Sequence, residues 1–456
     1  MRYARLTKDW LLRGWTDEPW TIINWTNGSC RKLSAEWFET AKACDGLTDF
    51  DNIDGVLQQN IRLSKLINAG LAEECEQGEG IQPYQRFIQA DNPYIRSIHW
   101  SITGHCNLKC RHCYMQSPDG RYGELPLPDM LGIIEQLAAA NVHLVELTGG
   151  EPFMRTDLLD ILAALVAKQI NVLRIYSNGT LITDDILLEI KKLGLFPAIQ
   201  ISFDGCGAHD AMRGIVNAET ATIEAIQRLN SQGFPVIVAT SIDRTNIHTL
   251  DITYTLLKEL GIRFWRVAAP QKIGNWRTTT TSLSPEERLS ACAPIAARWL
   301  KDGKPFALQL PGYRSTEDEK APVRYTPESY DCMSCRICCS LLPDGTVLPC
   351  ATYTDTVIYE KMPNLLRESF AGIWSDSALR KIIDIKKSEV LAHNSQCTTC
   401  KEFNRCGGGC RATSAVATGD LLTVDPQLCE LYKSKFQQRF SVLAGLSAAA
   451  ASSNPK

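Results

Sequence analysis

No apolar run in these 456 residues approaches the roughly 20 that a bilayer-spanning helix needs, so a transmembrane segment is not expected. The opening stretch "MRYARLTKDWLLRGWTDEPW" carries charge and Trp where an export signal needs an apolar core. Export is therefore not expected, and a cytoplasmic setting is. No long run of one charge sign occurs and the formal net charge is only −3, so neither nucleic acid nor a membrane surface is an expected partner. No internal repeat is strong enough to define a solenoid. What is left is an ordinary globular composition, 44% hydrophobic and 22% charged, on a chain long enough for two or three domains.

The one abundance is cysteine, with 18 residues. A disulfide framework suits small secreted domains, and this chain is large and shows no export signal. Reduced, metal-binding thiols are the better reading, and their spacing decides which metal.

Three regions separate along the chain. Residues 1–92 form a small unit. In it "WTIINWT" (20–26) reads as a strand closed by Asn27-Gly28, and 33–44 and 53–71 read as helices, the first with Ser34 as N-cap. Residues 73–83 read as a polar link out of it. Residues 93–310 alternate short β-branched runs with helical patterns, which predicts parallel strands with crossover helices. The six strands are "SIHWSIT", "HLVELTG", "NVLRIYSN", "AIQISFD", "FPVIVATSI" and "FWRVAAP". Six fall short of a closed eightfold barrel, so the fold class is α/β with an open, partial (β/α)6 barrel. Its chemistry belongs at the carboxyl ends of the strands. From 311 to 440 periodicity fades and cysteines crowd in. Residues 313–330 read as a polar connector, and 441–456 as a tail that ends in the disordered "SAAAASSNPK".

The first strand is followed by "GHCNLKCRHCYM", with Cys106, Cys110 and Cys113 at spacing C-x3-C-x2-C. Three close thiolates can hold three irons of a [4Fe–4S] cluster and leave the fourth iron open to a bidentate small molecule. The alternative is a zinc site completed by His105 or His112, although zinc more often takes paired C-x2-C arms. The second strand ends in Gly149-Gly150-Glu151-Pro152, where glycines let a ligand approach the backbone. Ser177-Asn178-Gly179 ends the third strand, Ser202, Asp204 and Gly205 the fourth, and Arg213 follows. Singly each is ordinary turn chemistry. Together they place hydroxyl, amide, carboxylate and guanidinium groups on one rim, which suits an amino-acid-bearing nucleoside.

On these motifs residues 97–277 resemble the radical SAM enzymes. The resemblance implies that Cys106, Cys110 and Cys113 hold a [4Fe–4S] cluster whose fourth iron binds S-adenosylmethionine. It implies further that Gly149, Gly150, Glu151 and Pro152 meet the methionine amino group, that Ser177, Ser202 and Asp204 lie on the ribose side, and that Arg213 meets the carboxylate. His112 replaces the aromatic residue usual before the third cysteine, with Tyr114 close by.

Further on, "CTTCKEFNRCGGGC" places Cys397, Cys400, Cys406 and Cys410, with Cys429 beyond, and "CMSCRICCSLLPDGTVLPC" precedes them. One zinc ribbon would explain a single C-x2-C pair, not this number and order. The pattern resembles the SPASM extension of radical SAM enzymes, which implies two auxiliary [4Fe–4S] clusters, three clusters in all. By position Cys397, Cys400, Cys406 and Cys429 would hold the outer one. Cys335, Cys350 and Cys410 would hold the inner one with Cys332 as fourth ligand, although Cys338 and Cys339 are extra to the pattern. Cys30, Cys44, Cys75, Cys206 and Cys292 read as buried small hydrophobes.

SPASM enzymes mostly modify peptides, and residues 1–92 resemble a winged-helix-like element that binds a leader peptide by strand addition. The resemblance therefore implies a peptide maturase that forms a C–S (thioether) or C–C cross-link. Its partners would be a precursor peptide and an electron donor such as flavodoxin or ferredoxin. Sulfatase-maturing enzymes place an Asp as base after the cysteine matching Cys350, where this chain has Ala351, and they normally lack so long an N-terminal unit. The pattern also accommodates a cofactor maturase, or a peptide epimerase with Cys338 or Cys339 as hydrogen source.

Overall fold

The structure is a computed structural model and describes residues 1–117, 120–311, 313–315, 324–332 and 334–446. The tail expected over 441–456 begins inside the helix Phe436–Ala444, and its end, 447–456, lies outside the described residues, as does the middle of the expected connector, 316–323.

The N-terminal unit builds its own small core. Strands β1 (Tyr3–Leu6), β2 (Trp10–Gly14), β3 (Thr21–Asn24) and β4 (Cys30–Lys32) precede helices α1 (Ala35–Lys42) and α2 (Val56–Asn68), and β5 (Ala72–Cys75) and β6 (Ile88–Gln89) follow. Alternation along the strands sends Trp10, Leu12 and Ile22 to one face, where they pack on Phe38, Leu63 and Leu66 of the two helices. The four-stranded sheet runs β4-β3-β2-β6, and β5 pairs antiparallel with β1. The expected link 73–83 thus begins as a strand. Ser34 does precede α1, but its hydroxyl donates to the Glu36 carboxylate at 2.6 Å and does not cap the helix backbone.

All six expected barrel strands form: β7 (Ser97–Ser101), β8 (Leu144–Thr148), β9 (Asn171–Ser177), β10 (Ala198–Ser202), β11 (Val236–Ser241) and β12 (Phe264–Ala268). They alternate with α3 (Leu127–Ala139), α4 (Leu158–Ala167), α5 (Asp184–Lys192), α6 (His209–Arg213), α7 (Ala218–Ser231), α8 (Leu250–Glu259) and α9 (Pro285–Lys301). The sheet is larger than expected. Beyond β12 it gains β13 (Ala307–Leu310), parallel, and β14 (Tyr313–Arg314), antiparallel. On the other edge the cysteine-rich region contributes β15 (Cys338–Leu341), parallel to β7, and β16 (Val347–Leu348). The result is a ten-stranded sheet in the order β14-β13-β12-β11-β10-β9-β8-β7-β15-β16, whose two end strands do not pair with each other.

One face of this sheet buries Ile98, Trp100, Val145, Leu147, Ile199, Ile201, Val238 and Trp265 against the crossover helices. The same core takes in Phe370 and Trp374 from the cysteine-rich region and Phe436 and Phe440 of the helix Phe436–Ala444. The N-terminal unit docks at the opposite end of the barrel from the cysteine loop. Trp15 Nε1 donates to Ala140 O at 2.9 Å, and Asn141 Nδ2 donates to Gly14 O and Ile88 O at 3.0 Å each. Gly28, at φ 72°, lies against Leu144 at the start of β8, where a side chain would overlap it. Among the described residues no helix is long and apolar enough to cross a membrane.

Candidate active site

The Cys106–Cys113 loop leaves β7 at the carboxyl rim and is pinned by backbone on every side. Lys109 N and Arg111 N donate to Arg213 O and Met212 O at 3.0 and 2.9 Å, and Asn275 N donates to Cys113 O at 3.0 Å. Donors are aimed at all three sulfurs: Leu108 N at Cys106 Sγ (3.5 Å), Arg213 Nη1 at Cys110 Sγ (3.5 Å) and Ser117 N at Cys113 Sγ (3.3 Å). Burial pushes the Cys106 thiol up to about 12, and Glu151, Cys110 and Cys113 add to that rise. His112 is driven down to about 4 by burial, so the imidazole at this position is neutral. It lies edge-on to Trp276.

The two glycines after β8 serve the protein's own backbone. A side chain on Gly149 would overlap the Thr103 carbonyl, and one on Gly150 would overlap that of His105, next to Cys106. Their absence lets the β8 loop lie flat on the cysteine loop, with Gly150 N and Glu151 N donating to Thr103 O and His105 O at 2.8 Å. Glu151 is fully buried and accepts from Ser177 Oγ (2.9 Å), Asn178 N (2.8 Å) and Phe153 N (3.1 Å). Burial outweighs those hydrogen bonds and raises its carboxyl to about 7. Asp204 is also fully buried. It accepts from Ser241 N at 2.9 Å and pairs with Arg213 Nη2 at 2.9 Å. Ser177, Asp204 and Arg213 thus form a framework that ties β9, β10 and α6 to the cysteine loop, with Ser202 half-buried at the end of β10.

The inward face of the sheet carries a polar layer that sequence reasoning missed. His99 on β7, Glu146 on β8, Arg174 and Tyr176 on β9 and Gln200 on β10 are near-neighbours in register. Tyr176 Oη donates to Glu146 Oε2 at 2.6 Å, and His99 Nδ1 lies 3.5 Å from the same oxygen. Arg174 Nη1 donates to Gln200 Oε1 at 3.1 Å. Burial opposes ionisation of Glu146, but His99, Tyr176 and Arg174 prevail and hold its carboxyl down to about 2. The signal was present in the sequence. Parallel strands covered on both faces read as nearly unbroken apolar runs, whereas β7, β8 and β10 are each interrupted by one of these polar residues and β9 by two.

The C-terminal cysteines collect in two groups. Cys335 shares hydrogen bonds with Cys332 and Cys350, and Cys410 lies close enough to Cys350 for their charges to interact. Burial raises Cys397, and Cys406, Cys400 and Cys429 raise it further, so these four also stand together. A buried node sits between the groups: Lys387 Nζ bonds Asp331 at 2.5 Å and Gly407 O at 2.6 Å, and Arg411 Nε lies 3.1 Å from Asp331. Asp331, Gly407 and Arg411 directly adjoin Cys332, Cys406 and Cys410, so one ion cluster fixes three of the cysteines. Cys113 and Cys350 pack on the same small apolar cluster of Met115, Tyr122, Leu348 and Tyr353. Asp355 is a further unforeseen residue, holding Arg121 at 3.2 Å and Arg277 at 3.1 Å. Cys339 faces the helix-packed core, whereas Cys338 lies near Cys332, Cys350 and Glu146. Of the cysteines read as buried hydrophobes, Cys44 and Cys292 are buried, and Cys30, Cys75 and Cys206 are half-buried.

The donors around Cys106, Cys110 and Cys113 suit the thiolates of an iron–sulfur cluster. The thiols are unpaired by disulfides. Around the first three, buried N–H and guanidinium donors point at sulfur, as thiolates require.

The pattern of the radical SAM superfamily matches residues 100–257, and that of the iron–sulfur cluster-binding SPASM domain matches residues 332–402. The chain is thus a radical SAM enzyme with a SPASM extension, and those domains imply [4Fe–4S] clusters and S-adenosylmethionine. Among curated proteins it is similar to the AdoMet-dependent heme synthase of Methanosarcina barkeri, 26% identical over 73% of this chain and 95% of that protein. It is also similar to the PqqA peptide cyclase of Granulibacter bethesdensis, 26% identical over 71% of this chain and 84% of that protein. Among solved structures it shares the fold of Streptococcus suis SuiB bound to precursor peptide SuiA. The TM-score is 0.68 at 15% identity, covering 94% of this chain and all of that one.

Proposed function

We propose that this protein is a peptide maturase that removes hydrogen from a ribosomally made precursor peptide and closes a C–S or C–C cross-link. A cluster on Cys106, Cys110 and Cys113 with S-adenosylmethionine on its open iron supplies one-electron cleavage of the sulfonium and a 5′-deoxyadenosyl radical. The chain's own residues arrange the rest. The Gly149–Pro152 backbone and Arg213 line the methionyl side, and Ser177, Ser202 and Asp204 the ribose side. Cys332, Cys335, Cys350 and Cys410 hold an inner cluster, and Cys397, Cys400, Cys406 and Cys429 an outer one. Forming the cross-link removes two hydrogens from the peptide. One leaves as an atom to the deoxyadenosyl radical and the other as a proton plus an electron, and a cluster held by Cys332, Cys335, Cys350 and Cys410 would supply the acceptor for that electron.

The observation that carries this reading is that Cys113 and Cys350 both pack on one apolar cluster, which supports an inner group within reach of the cysteine loop. The open edge of β4 supports it, because a leader peptide can add there as a further strand. The likeness to the PqqA peptide cyclase and to the peptide-bound SuiB points the same way. A flavodoxin- or ferredoxin-type donor in the cytoplasm would supply the first electron. The likeness to the heme synthase favours a second reading, a cofactor maturase acting on a small molecule.

The test uses the cluster-loaded protein with S-adenosylmethionine, a low-potential reductant and the short peptides encoded beside its gene. Deoxyadenosine release with a peptide product lighter by two hydrogens is the expected result. Deoxyadenosine release with every such peptide unchanged in mass would sink the cross-linking reading, and inverted stereochemistry at unchanged mass would mark an epimerase.

A further inference from the structure

A cavity of about 330 Å³ lies between the barrel rim and the C-terminal helices. Its barrel side is made by the carboxyl ends of β12 and β13, the same rim that carries the cysteine loop. Its other side is the helix Pro426–Lys433, which bears Cys429, and the start of the helix Phe436–Ala444.

The charges in it do not balance. Arg266, Arg288, Arg405 and Lys435 line the cavity, against the single carboxylate of Glu402. Glu402 is already spent on Arg405, at 2.9 Å. Arg266, Arg288 and Lys435 have no ion-pair partner among the described residues. Arg288 is the telling one, because its Nε is buried without a hydrogen-bond partner. Glu430 is near enough for its charge to act on Arg288 but makes no ion-pair contact with it, so this half-buried guanidinium still offers direct contact to an anion in the cavity. The rest of the wall mixes the polar Gln309, Gln437 and Gln438 with an apolar part formed by Leu310, Leu428, Leu431 and Phe436, which suits a peptide's backbone and the side chains flanking a carboxylate.

We propose that this cavity binds an acidic segment of the peptide substrate, with the Asp or Glu carboxylate on Arg288 and on Arg266 or Lys435. The proposal rests on the peptide-maturase reading and adds a chemical demand: a precursor of this enzyme carries an acidic residue near the modified one. The cavity would anchor the peptide between the rim and the outer cysteine group and fix which residue reaches the barrel.

The probe is a ten-residue Gly/Ser peptide with two Glu residues and a neutral dye, followed by fluorescence anisotropy on the cluster-loaded full chain. A matched peptide carries Gln for Glu. The wild type is expected to bind the Glu peptide at least about tenfold more tightly than the Gln peptide, as close charge pairs in a cleft dictate. Arg266→Gln with Lys435→Gln, both at positions that leave the core intact, should abolish that preference, as should Arg288→Met. Lys191→Gln with Lys192→Gln, on α5, should leave it unchanged. Equal binding of the two peptides by the wild type would overturn the proposal, as would an unchanged preference in the Arg266/Lys435 variant. Glutarate displacing the Glu peptide at equal concentration would show a site for free small carboxylates and overturn the peptide assignment. Failure here with a cross-linked precursor still formed removes only the cavity's role. A functioning acidic site in an enzyme that modifies no peptide removes the maturase reading instead.

Discussion

Glu146 is where the chemistry of single residues departs most from its surroundings. It sits at mid-strand in a buried sheet, yet its carboxyl is held at about 2 against the usual 4.5 because His99, Tyr176 and Arg174 favour the ionised form. A depressed carboxyl contributes stability that is complete above its ordinary pKa and is lost as pH falls through the folded value. At about 1.4 kcal/mol for each tenfold change in proton affinity, the layer holds ~3 kcal/mol in this one ionisation. Glu146→Gln should therefore lower the melting temperature by a constant amount from pH 5 to 8, and the deficit should narrow only below about pH 4.5. An equal melting temperature for the Gln variant and the wild type at pH 7 would show that this carboxylate carries no net stability. The glycines of the β8 loop show the complementary limit of residue-level reading. "GGEP" was legible as a place of close approach, but the neighbour approached is the His105 carbonyl of the protein itself. A motif announces that space is needed without saying by what.

At the level of elements, what was readable followed periodicity, and what was missed lacked it. Six β–α units announced themselves through β-branched runs and amphipathic helices. Strand β15 did not, because "CCSL" reads as a metal motif, and only its pairing with β7 makes it a strand. Strand β5 was hidden by "AEEC", whose charges suggest a link but whose backbone completes a pair with β1. The N-terminal sheet allows a sharper statement. Its β3–β4 ladder is closed by Leu33 N on Trp20 O and Asn24 N on Ser29 O, which turns the Lys32 N–H toward the open edge. Proline is tolerated at an edge and removes that donor. Lys32→Pro should weaken binding of the precursor's leader by about tenfold or more while deoxyadenosine release without peptide is unchanged, if β4 receives an added strand. Lys32→Gln, which keeps the N–H and removes the pairing with Glu18, should bind the leader nearly as the wild type does. Equal binding by the proline variant would move leader recognition off this edge.

Across the whole molecule the cysteine-rich region is no appendage. It supplies β15 and β16 to the barrel sheet, sends Phe370 and Trp374 into the common core, and grips α3, where Phe370 N donates to Gln136 Oε1 at 3.0 Å. The resemblance implied two groups of four, and the structure brings Cys335 to Cys332 and Cys350, Cys410 near Cys350, and Cys397 near Cys400, Cys406 and Cys429. The Asp331–Lys387–Arg411 node that sets them side by side was invisible, because three charges distant in sequence carry no local pattern. This architecture separates two tasks that one mutation series can resolve. Cys106, Cys110 and Cys113 lie on the barrel rim, while Cys350 packs on the Met115–Tyr353 cluster that Cys113 also touches, and Cys410 lies near Cys350. Cys106→Ala, Cys110→Ala or Cys113→Ala should each end deoxyadenosine release. Cys350→Ala or Cys410→Ala should leave release within a few-fold of the wild type and abolish the cross-linked peptide, because the radical would form with no acceptor for the product's electron. The two classes differ in iron content as well, since each cysteine loss should remove the iron of one cluster only. Product formed at the wild-type yield by the Cys350 or Cys410 variant would show that the electron leaves by another route.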